Sequence, residues 1–172
     1  MKKTIIFPDE TKYVGEVKNG KPHGKGTFYH KNGDKMEANQ EQGLFQGQGK
    51  YTYANGDWVE GSFVDDYIEG FGIFYIQQAG NEGDRIEGVL RKGELVGEVI
   101  YYWGSGNFKG DKWKGQIKNG KLDGKGAYTR ANGETLTIYY KNGNPDTMRS
   151  RLPDWLSKEP EIIPYKQNLM GR

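Results

Sequence analysis

The sequence predicts an all-β protein made of antiparallel hairpins placed side by side. Three observations carry this: glycines recur at fixed offsets, aromatic residues stand two positions from those glycines, and Asn-Gly pairs punctuate the intervals. Self-similarity at a fixed period marks a repeat architecture. Gly15, taken as a reference, is followed at offsets of five, nine, eleven and eighteen by Gly20, Gly24, Gly26 and Gly33. The same offsets from Ala38 reach Gly43, Gly47, Gly49 and Gly56, and from Gly61 they reach Asp66, Gly70 and Gly72. Gly88 leads to Gly93, Gly97 and Val99, and Gly115 leads to Gly120, Gly124, Gly126 and Gly133. Ile138 opens a last partial unit, with Gly143 five residues on. Successive reference positions are 23, 23, 27, 27 and 23 residues apart.

Each element follows from this frame in order. Thr4-Ile5-Ile6-Phe7 aligns with Thr27-Phe28-Tyr29-His30, so the N terminus supplies a lone second strand before the first full unit. In every unit the first strand carries an apolar or aromatic residue two before the reference: Tyr13, Met36, Val59, Ile86, Trp113 and Leu136. The second strand carries a ring thirteen after it: Phe28, Tyr51, Phe74, Tyr101 and Tyr128. Residues two apart on a strand share a face, so each ring can lie over a glycine, and the opposite face, with Glu16, Lys18, Lys25 and Thr27, is expected to be wet. Asn-Gly at 19–20, 32–33, 55–56, 119–120, 132–133 and 142–143 predicts type I′ turns, whose two central residues both need positive φ.

The extra residues of the two 27-residue units fall at Ile76 to Gly83 and Trp103 to Gly110. Shared between two strands, they would lengthen each arm by two and leave the alternation of faces intact. Two such long hairpins would form a lobe bearing Trp103 and Phe108, and insertions in a repeat array often mark its binding face; simple loop drift is the other reading. The repeat pattern ends at Asn144-Pro145. The chain therefore divides into a sheet over residues 1–144, about five full units with a half unit at each end, and a C-terminal cap or tail over 145–172. In that tail 146–152 reads as a short Asp-capped helix, 153–158 as a second turn opened by proline, and 159–165 as extended. It either covers the last strands as a terminal cap or lies in the groove and regulates access.

The run Tyr13-Val14-Gly15-Glu16-Val17-Lys18-Asn19-Gly20-Lys21-Pro22-His23-Gly24-Lys25-Gly26-Thr27-Phe28 resembles the MORN (membrane occupation and recognition nexus) repeat, and Trp113 to Tyr128 resembles it nearly as well. Met36 and Ala38 in unit two, Val99 in unit four and Ile138 in unit six depart from the pattern. The resemblance implies an elongated, twisted, single-layer sheet with an aromatic-lined groove, serving as a non-catalytic interaction or scaffolding module. On that basis Tyr13, Phe28, Tyr51, Phe74, Tyr101, Trp103, Trp113 and Tyr128 are the candidate partner-binding residues, although for any one of them a place in the ring-on-glycine packing is the first expectation.

Composition narrows the function classes. There are 27 glycines and 13% aromatic residues against 34% hydrophobic residues in all, so apolar area is scarce and concentrated in rings. A formal net charge of +2 with 28% charged residues describes neither a polyanion-binding tail nor a disordered polyelectrolyte. With no cysteine and only His23 and His30, no thiolate metal site or metal cofactor is expected. The apolar stretch of the first residues is three long, too short for a leader, and a cytoplasmic setting is expected, with membrane or cytoskeletal association. His23 has neither an orienting third residue nor a nucleophile recurring beside it, so no enzyme is expected. The carboxylates at the turn ends, Asp34, Asp57, Asp84, Asp111 and Glu134, are read as satisfying turn backbone or facing solvent. The partner is read as a protein helix or extended peptide, or a second copy in a homodimer. The alternative is an anionic phospholipid surface, for which Lys109, Lys112 and Lys114 are a local cluster without a polybasic run. Stacked rings without a basic stripe argue against nucleic acid.

Overall fold

The computed structural model describes residues 2–79 and 81–146. They form one open antiparallel sheet of 13 strands whose spatial order is their order in the chain. The strands are β1 (Lys2–Ile6), β2 (Lys12–Lys18), β3 (Lys21–Tyr29), β4 (Lys35–Glu41), β5 (Leu44–Thr52), β6 (Trp58–Val64), β7 (Tyr67–Ile76), β8 (Asp84–Arg91), β9 (Glu94–Tyr102), β10 (Lys112–Lys118), β11 (Lys121–Thr129), β12 (Thr135–Lys141) and β13 (Asn144–Pro145). As expected, β1 is a lone second strand paired to β2. At the other end the last half unit gains a short second strand, since Asn144 and Pro145 pair with Lys141 and Tyr140. The helical segments expected after Asp146 lie outside the described residues.

One face of the sheet is the core. Side chains lie flat along it and take the place of a second layer. Tyr13 sits over Gly15 and Gly26, and Trp113 over Gly115 and Gly126; a Cβ at Gly26 or Gly126 would meet the ring at 2.1 and 2.3 Å. Ile68 and Leu90 do the same over Gly61 and Gly72, and Phe63 over Gly49. The glycine eleven after the reference is therefore required by space. The glycine nine after it is required by backbone: Gly24, Gly47, Gly70, Gly97 and Gly124 all have positive φ and sit where the pairing of the two strands slips at the reference residue. Buried side chains from Met36 to Tyr140 then form one continuous apolar cluster along the array.

The two edges carry different turns. Six two-residue turns, 19–20, 42–43, 65–66, 92–93, 119–120 and 142–143, have positive φ at both positions, as type I′ requires. Only three of these are Asn-Gly. The other three Asn-Gly pairs lie on the opposite edge, where glycine alone has positive φ and the Oδ1 atoms of Asn32, Asn55 and Asn132 accept the N–H two residues on. One dipeptide thus serves two turn geometries, set by loop length: the type I′ pairs by themselves join two strands, whereas Asn32, Asn55 and Asn132 lie in longer loops closed between His30 and Asp34, Tyr53 and Asp57, and Arg130 and Glu134.

The insertions do not lengthen the arms by two. β7 ends at Ile76 and β9 at Tyr102, and the extra residues form loops at 77–83 and 103–111, the second containing a 3₁₀ turn at Gly106–Phe108. Trp103 bonds Asp111 and Gly110 through its backbone, just as His30 bonds Asp34 and Gly33 in the short loop, so the added residues bulge out between fixed posts. Phe108 folds back toward Trp103, with ring centroids 6.4 Å apart, and both are buried.

Candidate functional site

The loop edge is held by a chain of aspartates. Asp34, half-buried, accepts the Tyr51 hydroxyl at 2.6 Å and the Ala54 N–H of the next loop at 2.8 Å. Asp84 accepts the Tyr101 hydroxyl and the Gly104 N–H, and Asp111 accepts the Tyr128 hydroxyl and the Ala131 N–H. In unit three the tyrosine slot holds Phe74, and Asp57 takes the Gln78 side-chain amide at 2.7 Å in its place, along with the Gln77 N–H. Each loop is thereby tied to the one after it. Burial raises the Asp84 carboxyl above its ordinary range, against the Tyr101 hydroxyl and the Gly104 and Ser105 N–H groups that favour its charge. Burial, then the neighbouring carboxylate, pushes the Tyr101 and Tyr51 phenols well up. Of the carboxylate row, the four aspartates are inter-loop clamps, and Glu134, the last, is exposed beside Arg130.

The turn edge has its own clamp, made from the slot eight after the reference. Glu69 accepts the Lys92 N–H at 2.8 Å, Asp123 accepts the Asn142 N–H at 3.2 Å, and Gln46 donates to Asp65 at 2.7 Å. Asp66 stands where other turns have glycine, at φ 75, and its carboxylate accepts the Phe45 N–H at 2.8 Å. Unit four departs: its slot holds Val96, which has no group for the task.

Of the eight rings expected to meet a partner, Tyr13, Tyr51, Phe74, Tyr101, Trp103, Trp113 and Tyr128 are buried, and Phe28 is half-buried. The structure brings five of them together in two groups, while Tyr51 packs on Tyr53 and Trp113 on Tyr140. Phe28 stands against Tyr13 and Phe45, with centroids 4.7 and 5.1 Å away, while Trp103 links Tyr101 to Tyr128 at 4.9 and 5.2 Å. In both groups the rings pack the core face.

The opposite face is polar along most of the sheet but not at its centre. Ten residues after the reference stand Lys25, Gln48, Phe71, Glu98 and Lys125; Phe71 is the exception, and it is 61% exposed. One residue after the reference stand Glu16, Asn39, Ser62, Val89, Gln116 and Tyr139, and Val89 is 44% exposed. Strand register places Phe71 opposite Val89 and Val89 opposite Val96, in one row across β7, β8 and β9. Ile73 and Ile100, twelve after their references, flank this row on either side of Glu87. Among the described residues, six large apolar side chains are exposed, and four of them, Val64, Tyr67, Phe71 and Val89, lie on β6 to β8. Beyond them Trp58 stacks on Tyr75 at 3.6 Å under the Lys50 ammonium, and Arg85 lies over Tyr102. Over β6 to β9 this face carries Glu60, Glu69, Glu87, Glu94 and Glu98 against Arg85 and Arg91. The result is an apolar field whose rim carries more carboxylates than cations, with Glu60, Glu87 and Glu98 already paired to Lys50, Arg85 and Lys114.

This field was missed in the sequence, where its signal lies in the departures from the repeat. Comparing the outward slots unit by unit isolates Phe71, Val89 and Val96 without coordinates.

The MORN repeat model matches residues 13–35, 41–58, 60–77 and 113–135. Unit four, which contributes Val89, Val96 and Ile100, falls between matches. No curated protein matches the chain. Among solved structures it is similar to the SAS-4 (dCPAP) TCP domain of Drosophila melanogaster, in complex with a proline-rich motif of Ana2 (dSTIL), at 18% identity, with 84% of this chain and 87% of that chain covered and a TM-score of 0.40. The family is a non-catalytic repeat module associated with protein binding and with membrane or cytoskeleton contacts. The matched segments, the repeated hairpins and the two glycine roles agree: this chain carries four MORN repeats between residues 13 and 135.

Proposed function

We propose that the chain is a non-catalytic protein-interaction module that docks an amphipathic partner segment, a helix or an extended peptide, on the outer field of units three and four. One observation carries this reading. The outward slots that hold Lys25, Gln48, Glu98 and Lys125 in other units hold Phe71 here, and its neighbours across the sheet, Val89 and Val96, are apolar as well. Apolar cross-strand pairs on the solvent face add only modestly to a sheet whose core lies on the other side, and a clustered exposed patch marks a contact surface. Val96 also forgoes the turn clamp made by Gln46, Glu69 and Asp123. The carboxylates around the field favour a partner whose apolar stripe is bordered by Lys or Arg. The buried rings then act as the frame that holds the field flat.

The test compares wild type with Phe71→Lys and with Lys125→Ala, the same slot in unit five, as baits in a lysate. Any protein retained by wild type is then purified and titrated against all three. The reading expects Phe71→Lys to weaken binding at least tenfold and Lys125→Ala to leave it unchanged, as expected when an apolar anchor in a desolvated contact is replaced by a charge. Equal affinities would refute it. Retention on anionic vesicles that Phe71→Lys abolishes, with no protein retained, would move the field to a phospholipid surface.

A further inference from the structure

The chain itself contains a segment with the chemistry the field favours. Residues 147–158, Thr-Met-Arg-Ser-Arg-Leu-Pro-Asp-Trp-Leu-Ser-Lys, combine Met148, Leu152, Trp155 and Leu156 with the cations Arg149, Arg151 and Lys158 against the single carboxylate of Asp154. The chain leaves the sheet in the right place. The Asp146 N–H donates to the Tyr139 carbonyl at 2.6 Å, and Tyr139 occupies the same slot as Val89, one after the reference. The exit is therefore level with the Phe71, Val89 and Val96 row. β13 and β8 are five steps apart in the strand order. At about 4.8 Å per step the separation is roughly 24 Å. Ten residues span about 33 Å when extended, so Trp155 and Leu156 reach the row only if the stretch read in the sequence as a short helix runs extended on docking.

We infer that residues 147–158 dock on the outer field of their own chain, with Trp155 and Leu156 against Phe71 and Val89 and the basic side chains among the surrounding carboxylates. The segment and a partner then compete for one surface, and the partner's apparent affinity falls by the fraction of chains in which the field is already covered. This rests on the field being a docking surface.

The absence of cysteine permits a clean test. The pair Val89→Cys/Leu156→Cys is compared with Gln116→Cys/Leu156→Cys in the full chain under mild oxidation. Gln116 occupies the same slot one unit nearer the exit, so tether length alone favours the control pair. Docking predicts that the Val89 pair closes at least about tenfold faster, through the higher effective concentration of a bound segment, and that adding Phe71→Lys removes the difference. Equal or slower closure overturns the inference. Disulfide-linked dimers from the Val89 pair overturn it in favour of a second copy as occupant. A synthetic peptide of residues 147–158, titrated onto the full chain carrying Trp155→Ser/Leu156→Ser, separates this failure from that of the underlying reading. If the peptide binds and Phe71→Lys abolishes binding, the field accepts such segments even where intrachain closure fails. If it does not bind, the field is no docking surface for this chemistry and both readings fall.

Discussion

Replacing Tyr101 by Phe removes one oxygen from the array and nothing else. That oxygen donates to Asp84, whose carboxylate is 1% exposed and ties the start of β8 to the loop after β9. Without the hydroxyl, one carboxylate oxygen loses its side-chain donor in a site closed to water. A hydrogen bond to a charged group is worth about 1.5–3 kcal/mol, and the buried acceptor is left short of a partner, so the loss should lie in that range. For a domain of this length that corresponds to about 3–12 °C in Tm. The measurement is urea unfolding followed by tryptophan fluorescence, with a check that the m-value is unchanged so that the shift reports stability. Tyr102→Phe is the control. Tyr102 is the next residue, its hydroxyl reaches Glu87 only at 3.4 Å, and it lies on the outer face, so its loss should stay below about 0.5 kcal/mol. Equal midpoints for the two variants would refute the claim that the aspartate chain holds the loop edge. Unit three shows that the clamp accepts another donor, since Phe74 stands in the tyrosine slot and Gln78 serves Asp57.

Three further outcomes follow from the same geometry. Asp84→Asn keeps the shape but does not titrate; because burial raises the folded-state carboxyl, protonation stabilises the fold below its unfolded value and that contribution is lost as pH rises through the folded one. Wild type should therefore gain on Asp84→Asn as pH falls toward the ordinary carboxyl value of about 4 and gain no more below it, in urea midpoints taken at pH steps; a change of the opposite sign over that window would contradict the assignment. Gly126→Ala should destabilise by at least about 1–3 kcal/mol, since its Cβ would meet the buried Trp113 ring at 2.3 Å; thermal unfolding unchanged within error would mean the ring can lift off the glycine. Asp66→Ala and Asp66→Gly both lose the bond to the Phe45 N–H, but only the glycine relieves the positive φ, so the alanine variant should be the less stable by about 1 kcal/mol; equal stabilities or the reverse order would contradict a backbone cost at this turn.

Much of the frame was legible in the residues because its determinants are local and periodic. The offsets of Gly15, Gly26 and Phe28 report which positions share a face, and that periodicity alone led to the hairpin array, the lone β1 and the ring-over-glycine packing. Single residues in isolation were less informative. Asn32-Gly33 and Asn19-Gly20 are the same dipeptide, yet only the second is a type I′ turn, because it alone joins β2 to β3, whereas Asn32-Gly33 lies inside a longer loop closed between His30 and Asp34. The aspartate row reads in the sequence as satisfying turn backbone or facing solvent, and its tie to the tyrosine and to the next loop is not visible there, since those partners lie 17 and 20 residues away. The inserted residues were expected in strands, but the posts at Trp103, Gly110 and Asp111 keep the strand ends where the shorter units have them. The candidate site was read from the family pattern, which led to the rings that build the core. Phe71, Val89 and Val96 stand outside that pattern, and they surface only when the outward slots are compared across units.

The central claim is that the outer field of units three and four meets a partner. It is tested most directly by placing a photo-crosslinking benzophenone side chain at position 71 and, separately, at position 48, the same slot one unit earlier, and irradiating each full chain in its native lysate. The account predicts covalent adducts from position 71 and none from position 48, with the captured peptide apolar on one side and bordered by Lys or Arg. Equal capture at both positions, or capture at neither, would contradict it.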